Sequence, residues 1–312
     1  MPDIEVRELA GDLRFPEGPV VLPDGDIAVC ELNAGRVSRV RASGSAAEVI
    51  AECGGSPNGA AIGPDGALYV CNSGGWRWTT VGPYLLPGDH GGTQADDYSG
   101  GRVQRVDLAS GEVADLYTEC DGNPLRAPND LVFDETGCFW FTDHGHMRAR
   151  DRDHGGLYYA KADGSDVREV VYPLDAPNGV GLSPAGDRVY VAETHTGRVR
   201  WWGLAGPGQL AEPTPGFGVG GSLLYGAPGN DLYDSLAIDG DGHVCVATLV
   251  RGGITSVSPD GETVEHVPLP DPLVTNIAFG GDDLRTAYVT LSATGKLVAI
   301  PWPRPGLRLA FG

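Results

Sequence analysis

The 312-residue chain carries a formal charge of −20, with 42 acidic side chains against 22 basic ones. Such a surface repels nucleic-acid phosphates and anionic lipid headgroups alike. No apolar run approaches the roughly 20 residues that span a bilayer. The opening MPDIEVRELAGDLRF lacks the basic and apolar regions of a secretory leader, so a cytoplasmic location is expected.

The 48 Gly and 24 Pro suit many short strands joined by tight turns. The first predicted strand, IEVRELA, precedes a pattern that then repeats six times. Unit 1 opens at FPEGPVV with Glu17, turns at PDGD and continues through Cys30 to GRVSRV. Unit 2 runs from SPNGAAI with Asn58 through PDGA and Cys71 to GRVQRV, and unit 3 from APNDLVF with Asn129 through DETGC and Thr142 to GGLYYA. Unit 4 takes APNGVGL with Asn178, SPAGD, Ala192 and GRVRWW. Unit 5 takes YDSLAI with Asp234, DGDGH, Ala247 and GGITSV, and unit 6 VTNIAF with Asn276, GGDDL, Thr290 and GKLVAI. In every unit a small residue follows the polar marker by 13 or 14 positions.

Units of this size cannot bury both faces alone and gain a core by stacking on their neighbours. The pattern therefore predicts an all-β fold, a six-bladed β-propeller forming one domain over residues 1–312 around a central metal channel. Blades start near residues 15, 56, 127, 176, 232 and 274, and IEVRELA supplies the outer strand of the last one.

Between units 2 and 3 lies a surplus at about 74–100 carrying Trp76, Trp78, Tyr84 and Tyr98. A long aromatic insertion of this kind reads as a lid over one mouth of the channel. A second excursion, 144–156, holds His144 and His146 and points to the same face; as loop residues, both would equally be solvated. His195, in AETHTG, reads as a turn residue without a role. The six cysteines show no metal spacing, which suits buried free thiols in a reducing compartment.

The innermost strand of each blade lines the axis, so the six markers share one ring of one Glu, one Asp and four Asn. An all-oxygen ring suits a hard cation, Ca²⁺ ahead of Mg²⁺ or Mn²⁺. Zn²⁺, which ordinarily recruits imidazole or thiolate, is a further alternative. Any single Asn equally suits a strand-opening turn, and the argument rests on six in register.

FPEGPVV, APNDLVFDETGCFWFTD, APNGVGLSPAGDRVYVAET, DSLAIDGDGHVCVA and TNIAFGGDDLRTAYVT, in this order and spacing, resemble the SMP-30/gluconolactonase/luciferin-regenerating-enzyme family over nearly the whole chain. The resemblance implies a divalent metal, usually calcium, and hydrolysis of sugar or related lactones. It places metal ligands on Glu17, Asn178 and Asp234, and related organophosphate-hydrolysing propellers add Asn129. Asn58 and Asn276 then support the ligands or face the small-molecule substrate, together with Asn129, Arg126 and His144. Some sugar-lactonase relatives carry an Arg two residues before the blade-3 Asn. Here that position is Ala127, with Arg126 one place off, which leaves the lactone's identity open.

Asp234 is the expected general base, since a ring position brings it to both metal and substrate. Asp130 is the alternative, although adjacent strand residues face opposite ways, so it equally reads as a packing acid. No GxSxG elbow supports a serine nucleophile. Two other functions fit the same ring: phosphotriester or fluorophosphate hydrolysis, and a non-enzymatic calcium-binding propeller. The oligomeric state is not encoded in these motifs.

Overall fold

The computed structural model describes residues 4–211 and 219–312. Among them there is no helix, hence none long and apolar enough to cross a membrane. The strands form a six-bladed β-propeller. The innermost strands are Pro16–Val21, Pro57–Ile62, Pro128–Phe133, Pro177–Leu182, Leu232–Ile238 and Val274–Gly280, within one residue of the sequence-derived blade starts. Each packs against the next, and the sixth packs back on the first, so the inner strands close a ring.

Closure follows the expected route. Arg7–Ala10 pairs antiparallel with Lys296–Pro301 and supplies the outer strand of blade 6. That pairing leaves no open seam between the two ends of the array.

Alternation in each strand sends one side chain in two into a gap between blades. Six buried apolar clusters result among the described residues, each shared by two neighbouring blades. Tyr69 of blade 2 meets Phe133 of blade 3 with ring centroids 5.0 Å apart, and Trp140 of blade 3 lies beside Val180 of blade 4. The cysteines are all free, and only Cys138 is not fully buried.

Two segments cover the ends of the ring of blades. The insertion after blade 2 carries a hairpin, Trp78–Val81 with Tyr84–Pro87. From there it reaches blade 1 through Trp78 on Phe15 at 4.9 Å, and blade 6 through Leu85 N donating to Ala293 O at 2.9 Å. It reaches the blade-3 excursion through Thr93 N donating to Met147 O at 2.9 Å. This segment forms a roof at the end where the marker strands begin.

At the opposite end residues 302–312 run under the blades. Trp302 N donates to Arg285 O, Leu307 N donates to Ile238 O, and Phe311 packs on Phe133 at 5.8 Å. These contacts lead from blade 6 through blade 5 to blade 3, across the axis.

Candidate active site

In all six blades the pairing between the innermost and second strands is irregular at the marker. A bulge at this point re-aims side chains that strict alternation would send elsewhere. Close approach of neighbouring backbones accompanies it. Gly18 has φ of +49°, and a Cβ there would strike the Asn58 carbonyl of the next blade. A Cβ on Gly59 would run into the Asn129 carbonyl and the Asp130 carboxylate. The PNG and PEG sequences thus let the ring contract until markers of adjacent blades meet.

The markers are buried: Glu17 is 2 % exposed, Asn58 4 %, Asn129 3 %, Asn178 4 % and Asn276 6 %, and Asp234 is partly exposed. Asn276 Nδ2 donates to Glu17 Oε2 at 2.8 Å, and Gly18 N donates to the same oxygen at 2.9 Å. Ser235 Oγ donates to Asn178 Oδ1 at 3.2 Å, while Asn178 Nδ2 donates to Thr194 Oγ1 at 3.1 Å. The amide oxygens of Asn58 and Asn129 are buried without any hydrogen-bond partner. An orphaned buried acceptor costs roughly 1–3 kcal/mol, so two in one ring call for a ligand that is itself positive or a donor.

Asp130 is turned toward the other acids. Burial, then the negative charge of Glu17, pushes its carboxyl up to about 8. Burial and then Glu17 hold Asp234 well above the ordinary range, with Asp130 adding to them. Glu17 is raised by burial against hydrogen bonds from Asn276, Gly18 and Thr275. Strand alternation had left Asp130 equally readable as a packing acid, and the bulge at Asn129 is what turns it inward.

Among the described residues no three His, Cys, Asp or Glu side chains are grouped as a metal site. The donor set of the ring is instead mixed, carboxylates with amides. Its chemistry fits a hard divalent cation: every donor is oxygen, two amide oxygens are free, and the carboxyls repel one another.

Above the ring, toward the roof, lies an arc of rings from three successive blades. His144 is 7 % exposed, with centroids 5.8 Å from Trp76 of the roof and 5.6 Å from His195 of blade 4. Burial pushes its imidazole down to about 3, so it is neutral at physiological pH. His146, 1 % exposed, is fully committed: Nε2 lies 2.9 Å from Ser73 O and Nδ1 3.3 Å from Thr93 Oγ1. Both histidines are buried rather than solvated. His195, read above as a turn residue without a role, packs edge-on against His144 and is part of this wall.

Arg126 lies outside it. Its side chain is exposed in a groove of about 600 Å³ bordered by Tyr98, Arg102 and Asp115, while its backbone is pinned by Asp143 and by the Tyr98 hydroxyl. Two features of the site had no sequence signal. One is the unpartnered indole N–H of Trp76, the other the inward turn of Asp130.

Comparison with known proteins bears on the family and the fold. The family model described as SMP-30/Gluconolactonase/LRE-like region matches residues 15–293. The chain is 26 % identical over 255 residues to lactonase drp35 of Staphylococcus haemolyticus, covering 81 % of this chain and 69 % of that one. In fold it is similar to a gluconolactonase from Xanthomonas campestris, with TM-score 0.74 and 21 % identity over 97 % of this chain and 91 % of the other. It is also similar to a calcium-binding regucalcin from Agrobacterium tumefaciens, with TM-score 0.72 and 18 % identity over 98 % of both chains.

Proposed function

Because this chain belongs to the SMP-30/gluconolactonase/LRE-like family, we propose that it hydrolyses a lactone with a divalent cation held by Glu17, Asn129, Asn178 and Asp234. Ca²⁺ comes ahead of Mg²⁺, Mn²⁺ or Zn²⁺ for an all-oxygen donor set. The observation that carries this reading is the pair of buried, unpartnered amide oxygens of Asn58 and Asn129 beside carboxyls held above their ordinary range.

When bound, the cation supplies Lewis acidity and offsets negative charge at the lactone carbonyl. Asp234 takes a proton from the attacking water, since its carboxylate borders both the ring and open space. Asp130, beside Glu17, is the alternative base. Asn276 holds the Glu17 carboxylate through Oε2 and so fixes its orientation. Asn58 and His144 face the substrate, and the roof limits bulk water above them. Arg126, on the outer groove, contacts only a substrate long enough to extend past Tyr98. The product is the open hydroxy acid, with the ring oxygen leaving as an alcohol.

A pH-stat assay over a lactone panel tests this, with EDTA treatment and metal add-back. Turnover is expected, lost on chelation and restored by Ca²⁺. A fluorophosphate in the same panel separates phosphotriester hydrolysis from lactone opening. Lactone turnover indifferent both to chelation and to Glu17→Gln would overturn the metal-dependent reading.

A further inference from the structure

Sixteen or seventeen positions beyond the markers stand Asn33, Gly74, Gly145, His195, Val250 and Ala293, each in the turn that follows its blade's second strand. In blades 2, 3 and 5 the backbone at this position is left-handed, with φ of +76° at Gly74, +73° at Gly145 and +73° at Val250. Glycine adopts that conformation freely, whereas a β-branched side chain in it is strained. Blade 5 therefore carries a valine where the same backbone in blades 2 and 3 has glycine.

The lead-in to blade 6 pins this turn. Arg251 N donates to Leu249 O at 2.9 Å, closing a tight three-residue turn around Val250, and Val250 N donates to Pro272 O at 2.8 Å. Leu249 bridges Leu273, and a Cβ on Gly252 would strike the Asp271 carbonyl. The isopropyl group gives the core nothing in return, since Val250 is 55 % exposed. Strain that neither the backbone nor the packing calls for points to a contact outside the chain.

Val250 stands on the open side of the mouth. Among the described residues the roof's hydrogen bonds and ring contacts reach blades 1, 3 and 6, and none reaches residues 176–271. Ala293, the blade-6 counterpart of Val250, lies under the roof and is 2 % exposed. From His195 to Val250 the uncovered rim is continuous. Gly197 sits against the Asp231 backbone so closely that a Cβ would lie 2.9 Å from its carbonyl oxygen, and Arg251 turns to the Asp231 carboxylate at 3.5 Å. Asp234, the partly exposed marker, belongs to the same blade as Val250.

We propose that Val250 is a specificity residue whose isopropyl group packs on an alkyl substituent of the lactone as it leaves the mouth over blade 5, so that the preferred substrates are lactones with an alkyl side chain. This rests on the lactone-hydrolase reading and adds which part of the substrate this chain's own rim recognises.

The test pairs γ-butyrolactone with γ-nonalactone and δ-valerolactone with δ-decalactone. A fully buried methylene favours a complex by about fourfold, so partial cover of several on an open rim gives about fivefold or more. The wild type is expected to favour the alkylated member of each pair by that factor in kcat/KM, chiefly through KM. Val250→Gly suits the turn and removes the contact, so the preference falls toward one. Val250→Ile, which keeps a branched apolar side chain, retains it.

Melting temperature separates this from a merely structural role. Val250→Gly is expected to melt no lower than wild type, because glycine relieves the strain. A variant that melts well below wild type overturns the strain argument. No preference for the alkylated lactones in wild type, or the same preference in Val250→Gly, overturns the assignment while leaving lactone hydrolysis in place. So does a wild type that sediments as a dimer and a Val250→Gly that sediments as a monomer with the preference unchanged, since the valine then serves a contact between copies. Turnover of no lactone in the panel overturns the lactone reading and this inference together.

Discussion

Glu17 is held by Asn276 and by its own neighbour's N–H, and it raises the pKa of both Asp130 and Asp234. Carboxyls that raise one another in a dry setting repel, and the divalent cation proposed above would offset that repulsion. Glu17→Gln removes one charge and keeps the shape. Wild type is expected to melt at a higher temperature on adding Ca²⁺, and the variant to lose that rise together with about 100-fold or more in kcat/KM on lactones. Calorimetry with and without Ca²⁺ checks the first, the pH-stat assay the second.

At the same scale His144 links burial to acid stability. Folded, it is held at about 3, whereas an unfolded imidazole protonates near 6.5. Between those values the unfolded chain binds the extra proton. Its contribution is complete above about pH 6.5 and is lost as pH falls toward 3, at about 1.4 kcal/mol per pH unit. Urea unfolding across that window should give a shallower slope for His144→Gln. An unchanged slope contradicts the burial account.

The roof is the element most separable from the frame. Blade 2 is built from Pro57–Ile62, Leu68–Asn72, Arg102–Val106 and Val113–Tyr117, none of which includes the hairpin. The hairpin is held to the rest by side-chain contacts and a few backbone bonds, Trp78 on Phe15 and Leu85 on Ala293 among them. Trp78→Ala should therefore expose the segment 78–92 to limited proteolysis and raise KM. Far-UV circular dichroism melts should change little, because the six inter-blade clusters stay intact. A large drop in melting temperature would mean that the roof is part of the cooperative core.

For the whole molecule, closure is the issue. Each blade buries its faces only against neighbours, so we propose that residues 1–312 unfold as one unit in a single transition. The strand Arg7–Ala10 ties one end of the array, and the segment beneath the blades ties the other. In that segment Arg304 pairs with Asp239, whose side chain is fully buried, and bonds Glu265 and Ser256 as well. Arg304→Ala leaves Asp239 without its cation. Breaking a buried pair from one side costs about 3 kcal/mol or more, and a lower urea midpoint with unchanged m-value is the expected result.

The fold was open to reading from pattern alone, because the repeat makes six positions equivalent and period-two alternation fixes which face each strand buries. FPEGPVV and its five counterparts therefore gave the blade starts to within a residue, and Trp76 and Tyr98 marked the insertion as ordered. The inward turn of Asp130 was out of reach, since a bulge breaks the alternation on which such reading depends. So were the burial of His144 and the part played by His195, because both follow from loops of separate blades meeting above the ring. Local periodicity is a property of the chain and is written along it. Which atoms are left without partners depends on how distant segments close around one axis, and that is settled only once the blades have packed.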